Sequence, residues 1–215
     1  RRIIAQALQW PVSRLHVVKP RIGGGFGAKQ EVLIEDLVAF LAVRSGKPVF
    51  YEMTRSEEFV SRTRHAMIIR LKTGVDATGR ILARRMDVLC NTGAYGAHAL
   101  TVPSNTGSKS LPLYRSDSLK YVCDSVYTNL PVAGALRGYG APQGFFAVES
   151  QMDEIAHALG HDPVEYRLAN AIREGDRDPI AEHLGEGKAG FERVIRTNGL
   201  AECWDRVREA TGWDA

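Results

Sequence analysis

Apolar positions along the chain follow two periods, one helical and one extended. Leu33, Leu37, Phe40 and Leu41 recur at helical spacing until Gly46-Lys47-Pro48, which predicts a helix over residues 31–45. Phe146, Met152, Ile155 and Leu159 share a helical face and predict a helix over 145–159. Pro163, at a first helical position behind Asp162 as cap, opens another over 163–173. Residues 1–9 have helical composition, Thr54 and Glu57 form a capping box for a short helix over 55–61, and a last helix is expected over 199–211. Leu15–Val18, Pro48–Met53 and Lys120–Tyr127 read as strands. Met67–Val75 and Ile81–Cys90, split by Asp76-Ala77-Thr78-Gly79, read as an antiparallel hairpin. Loops are expected over 91–118 and 174–198; the first is too long and polar for a connector and points to a functional or partner-packed segment. Mixed helices and largely antiparallel strands make this an α+β fold.

Composition bounds what such a fold can be. The chain has 215 residues, room for one large domain or two small ones, and at 44% hydrophobic and 25% charged it has material for a core. Its longest uninterrupted apolar run, Leu37–Val43, is far short of the roughly 18 residues that cross a bilayer. Lysine and arginine exceed aspartate and glutamate by 28 − 25 = 3, spread along the chain, which gives nucleic-acid binding no support. Cys90, Cys123 and Cys203 form no CxxC pair, and His157 and His161 are separated by Gly160, so free thiols in a cytoplasmic setting are expected rather than a disulfide or a zinc site. The chain opens on Arg1-Arg2-Ile3-Ile4, without an initiator methionine or signal core, and is expected to be a piece of a longer polypeptide. Trp204 and Trp213 are expected to pack on the remainder of it.

The candidate chemistry lies in two glycine loops. In Ile22-Gly23-Gly24-Gly25-Phe26-Gly27-Ala28-Lys29, main-chain amides are left unshielded at the expected mouth of a helix, which suits either an anion or oxo-group cradle or a tight, ligand-free turn. Gly23, Gly25 and Ala28 also satisfy GxGxxA, and Glu52 stands where a ribose-binding carboxylate belongs, so a dinucleotide site is the rival reading. A P-loop is excluded, because Ala28 replaces its last glycine and Gln30 follows Lys29 where Ser or Thr must ligate magnesium. The second loop, Ala133–Gln143, holds Arg137 and Tyr139 between glycines, displaying a rigid fork of donors and a flat ring on which a planar molecule can stack.

At these loops the sequence resembles the molybdenum-cofactor subunit of the xanthine dehydrogenase and aldehyde oxidase family. The resemblance rests on Arg21–Glu31 (RIGGGFGAKQE), Asn91–Gly96 (NTGAYG), Asn129–Gln143 (NLPVAGALRGYGAPQ) and the stretch Met152–Asp176, and it covers essentially the whole chain. It implies a domain of the molybdenum-hydroxylase large-subunit type, and a parent enzyme that inserts a water-derived oxygen into an N-heterocycle such as a purine, or into an aldehyde. It further implies a molybdenum–molybdopterin cofactor in the parent, with iron–sulfur clusters and FAD on partner subunits or domains of an oligomer. Carried onto this chain, Gly24, Gly25, Phe26, Gly27 and Arg137 are expected to bind the cofactor, and Gln30 and Tyr139 the substrate. Purine-oxidising members have a glutamate where Gln30 stands, and a substrate-binding arginine where this chain has Ser104-Asn105-Thr106. The resemblance places the base glutamate and most pterin contacts after Ala215, so residues 1–215 are expected to be an incomplete, inactive portion of the cofactor-binding region. A non-catalytic scaffold for the iron–sulfur and flavin subunits is the alternative.

Overall fold

The computed structural model describes residues 1–180 and 193–213. In chain order its elements are α1 (Arg2–Ala7), α2 (Glu35–Ser45), α3 (Arg55–Ser61), β1 (Thr63–Arg64), β2 (Met67–Val75), β3 (Ile81–Gly93), α4 (Thr101–Ser110), β4 (Ser118–Tyr127), β5 (Ala133–Gly134), α5 (Ala141–Leu159), α6 (Pro163–Asn170) and α7 (Leu200–Thr211). They form two units: Arg1–Ala66 with Asn91–Ala99 and Tyr127–Arg137, and Met67–Cys90 with Leu100–Val126 and Gly138–Ala215. Mixed helices and strands, as expected, make up the fold. Of the loop expected over 174–198, residues 181–192 lie outside the described residues. Among the described residues no helix is long and apolar enough to cross a membrane.

The second unit carries the core. Strands β2, β3 and β4 form one sheet in that order, with β2 antiparallel to β3 and Met67 opposite Cys90. Alternation on β3 turns Met86, Val88 and Cys90 inward, where they meet Val148, Met152 and Ala156 of α5, Leu111, Tyr114, Tyr166 and Ile180. The hairpin turn is built by Asp76, whose carboxylate accepts from the Thr78 and Arg80 amides, and by Gly79 at φ 85°. Asp162 caps α6 as expected, accepting from the amides of Val164 and Glu165 at 2.8 and 2.9 Å.

Residues 101–110 depart from the expected loop and form α4. Their serines, threonines and glycine have weak helical preference, but they suit close packing against α5: a Cβ on Gly144 would lie 2.4 Å from the Thr106 carbonyl oxygen. Helix α5 begins four residues earlier than expected, and its buried face is Gly144, Val148, Met152 and Ala156, with Phe146 turned outward at 78% exposure. Trp204 packs against this unit's own core, while Trp213 is half exposed and donates its indole N–H to Asp162.

The first unit is poorer in buried apolar residues. Helix α3 has the expected capping box, with the Thr54 hydroxyl accepting from the Glu57 amide and the Glu57 carboxylate from the Thr54 amide. Strand β1 pairs in parallel with β5 through Thr63–Ala133 and Arg64–Gly134. Neither Leu15–Val18 nor Pro48–Met53 forms a strand. Val17, Val18 and Phe50 are exposed, and β-branched and aromatic residues become a strand only where a partner edge and a covering face exist.

Candidate functional site

The first glycine loop lies wholly in the first unit and takes a backbone path most residues resist. Gly24 (φ 148°), Phe26 (φ 48°) and Gly27 (φ 94°) all stand in the left-handed half of backbone space, and Phe26 does so with a Cβ. Two turns close the loop, Ala28 donating to the Gly25 carbonyl and Gln30 to that of Gly27. The loop does not open directly into a helix as expected. Helix α2 starts at Glu35, four residues later than predicted, and the Glu35 carboxylate accepts from the amides of Leu33 and Ile34. Burial works to raise the pKa of Glu35, but these backbone N–H groups outweigh it and hold the carboxyl below its ordinary value. The start of α2 thus carries the chain's own carboxylate, bonded to the Leu33 and Ile34 amides.

The second glycine loop closes on the first. Glycine is required at position 27 by contact as well as by φ, since a Cβ there would lie 2.6 Å from the Ala135 carbonyl oxygen and 2.9 Å from the Leu136 nitrogen. Ala133 and Ala135 are buried, and Arg64 donates to the Arg137 carbonyl at 2.7 Å, which holds the second loop from behind. This support turns the Arg137 side chain outward, with its guanidinium carbon 5.1 Å from the centroid of the Phe26 ring. Phe26 is 67% exposed and Arg137 is exposed. Among the described residues, the amides of Gly23 to Gly27 and the guanidinium of Arg137 donate to no protein group. The two loops therefore gather uncommitted N–H donors around a cation lying on an aromatic face, a donor set suited to an anionic or oxo-bearing ligand.

The structure unites five of the seven expected site residues. Gly24, Gly25, Phe26, Gly27 and Arg137 form the paired loops. Gln30 is exposed just beyond them. Tyr139 belongs to the second unit, in left-handed conformation at φ 47°, with its hydroxyl 2.6 Å from the Thr101 hydroxyl. Gly138 and Gly140 flank it, and a Cβ on Gly140 would meet the Val102 carbonyl oxygen at 2.1 Å. The dinucleotide reading loses its framework, because the strands it needs before and after the helix are not formed.

Titratable groups that the sequence does not single out are also buried or half-buried. In the first unit Glu31 is ion-paired with Arg62 and lies 2.5 Å from His98 Nε2, while His65 Nδ1 is 2.9 Å from the Asn91 carbonyl oxygen. Burial lowers the pKa of Arg62, and burial followed by the Arg62 charge lowers that of His98. For His65 burial is again the first cause of a lowered value. In the second unit Arg84 donates to the carbonyls of Leu111 and Tyr114, and burial brings its pKa down to about 10. No periodicity marks these residues. The only available signal is a charge on the inward parity of a strand, and it exists for Arg84 alone. The cysteines offer no nucleophile in the core: burial pushes the Cys90 thiol up to about 12 and raises Cys123 as well. Among the described residues no group of three or more His, Cys, Asp or Glu is placed to hold a metal ion.

Comparison with known proteins identifies the family. The family model described as the molybdopterin cofactor-binding domain matches residues 1–171. A xanthine dehydrogenase molybdenum-binding subunit of Escherichia coli is 46% identical over 216 aligned positions, covering 100% of this chain and 27% of that subunit. The nicotinate dehydrogenase large molybdopterin subunit of Eubacterium barkeri is 35% identical, covering 96% of this chain and 46% of its own length. Among solved structures, the aldehyde oxidoreductase of Desulfovibrio gigas superposes with a TM-score of 0.74 at 30% identity, over 88% of this chain and 20% of that one. The chain thus spans about a quarter of the length of the Escherichia coli subunit.

Proposed function

Because the chain belongs to the molybdopterin cofactor-binding domain family, we propose that it supplies one wall of the active site in a molybdenum hydroxylase of the xanthine dehydrogenase and aldehyde oxidoreductase type. The observation that carries this reading is the closure of the two glycine loops, which sets the exposed Arg137 guanidinium over Phe26 beside the uncommitted amides of Gly23 to Gly27. Such donors fit an oxo-bearing, anionic cofactor, and bulky side chains at Gly24, Gly25 or Gly27 would take the space it needs. When bound, the molybdenum–molybdopterin cofactor supplies a two-electron acceptor and the site at which a water-derived oxygen is transferred. Gly24, Gly25, Phe26, Gly27 and Arg137 hold and orient it. Gln30 offers an amide that both donates and accepts, and Tyr139 a ring for stacking, to an N-heterocycle or an aldehyde. Lacking a charge at position 30, this wall suits a neutral ring or carbonyl more than a ligand demanding a carboxylate.

In this reading the base and most pterin contacts come from other parts of the polypeptide, so residues 1–215 turn over nothing alone. The parent works with iron–sulfur and FAD subunits in a cytoplasmic, oligomeric complex. The test is metal and pterin analysis of the full-length parent with steady-state kinetics on purine and aldehyde substrates. Molybdenum near one per subunit is expected; Arg137→Ala and Phe26→Ala lower kcat by about tenfold or more, and Tyr139→Ala chiefly raises KM. A molybdenum-free complex would favour the scaffold role instead.

A further inference from the structure

Behind the glycine loops lies a half-buried charge cluster that the cofactor and substrate roles leave unused. Glu31 follows Gly27 by four residues, and both of its carboxylate oxygens are shielded from solvent. Arg62 closes α3 immediately before β1, the strand paired with β5 at the base of the second loop. The Arg62 side chain is only 5% exposed and ion-paired with Glu31, and His98 reaches the same carboxylate from the segment after β3. The pair rests on the main chain of the second loop: a Cβ at Gly134 would come 2.6 Å from Arg62 Nη1 and 3.0 Å from Glu31 Oε1. Glycine at 134 is what permits a buried ion pair to touch the backbone there.

For stability alone such a pair is a poor device. Desolvating a carboxylate and a guanidinium offsets most of their attraction, and apolar residues of similar volume commonly do as well or better. A buried ion pair does define one geometry sharply, because separating the charges in a low-dielectric interior is penalised. Here it links the exit of the first loop to the strand anchoring the second. Resting on the cofactor-wall reading above, we infer that Glu31 and Arg62 are positioning residues that lock the first glycine loop against the second, and so hold Arg137 on the face of Phe26.

The test uses the full-length subunit in its native complex, with hydrogen–deuterium exchange and kinetics read in parallel. Glu31→Gln is expected to raise amide exchange about tenfold in peptides covering 22–30 and 131–138 while leaving 67–90 unchanged. It should lower kcat by about 10- to 100-fold, with KM within about threefold, as expected when catalytic groups shift by about 1 Å. Since Glu31→Gln strands a buried guanidinium, a variant that fails to fold is replaced by Glu31→Gln with Arg62→Gln, which removes both charges. The double variant is expected to fold with its loops still exchanging fast and kcat still low, a split that a purely stabilising pair would not produce. Wild-type exchange and kcat in the folded variant overturn the inference. So does accelerated exchange spread equally over 67–90. Absence of molybdenum from the wild-type complex would instead defeat the cofactor reading, while the exchange experiment still decides whether Glu31 and Arg62 lock the loops.

Discussion

Glycine 27 shows how much of this site depends on a missing methyl group. Its backbone stands at φ 94°, and the space where a Cβ would project is filled by the Ala135 carbonyl. Gly27→Ala therefore meets backbone strain of about 1–3 kcal/mol together with a clash against main chain that cannot rotate away. Its expected effect is a full-length subunit that folds but binds molybdenum several-fold less well, measured as metal content after purification. Gly23→Ala is the milder comparison: nothing lies within 4 Å of its Cβ, so it should lose less molybdenum than Gly27→Ala. The four glycines of this loop are legible in the sequence. That Gly27 is one the fold cannot spare depends on Ala135, more than a hundred residues away.

Helix α6 illustrates an element whose boundary is set locally. Asp162 accepts two amides of the first turn and the Trp213 indole N–H. Bonding to the Glu165 amide is the largest cause holding its carboxyl below the ordinary aspartate value. Asp162→Ala is expected to cost about 1 kcal/mol at neutral pH. Because the folded-state pKa is depressed, this contribution is complete above the ordinary aspartate value near 4 and is lost as pH falls through the lower folded value. Denaturant titrations of wild type and variant should accordingly differ at pH 7 and converge in acid; a difference independent of pH would assign the effect to packing. Caps of this kind, at Asp162 and Thr54, can be read from neighbouring letters because donor and acceptor are two or three residues apart. The strands at Leu15–Val18 and Pro48–Met53 are not read correctly from theirs, since a strand depends on a partner edge that no local window contains. Helix α4 errs in the opposite direction: its polar letters suggest a loop, and close approach to Gly144 makes it a helix.

Across the whole molecule, apolar residues are shared unequally between the two units. The second unit holds the core cluster, whereas α2 in the first buries none of its eleven residues and exposes Leu37, Phe40, Leu41 and Val43 by 43–50%. The isolated chain is therefore expected to bind a hydrophobic dye while folded. Leu37→Gln with Phe40→Gln should reduce that fluorescence several-fold and leave the melting temperature nearly unchanged, since exposed substitutions seldom exceed about 0.5 kcal/mol. Family, fold class and the composition of both glycine loops follow from the order of residues, because motifs such as GGGFGAK and RGYGAPQ carry their chemistry in adjacent letters. The closure of one loop on the other, the stacking of Arg137 on Phe26 and the pairing of Glu31 with Arg62 were decided by tertiary structure alone. Each joins residues that are distant in the chain, and only packing determines which distant groups share a buried, low-dielectric space.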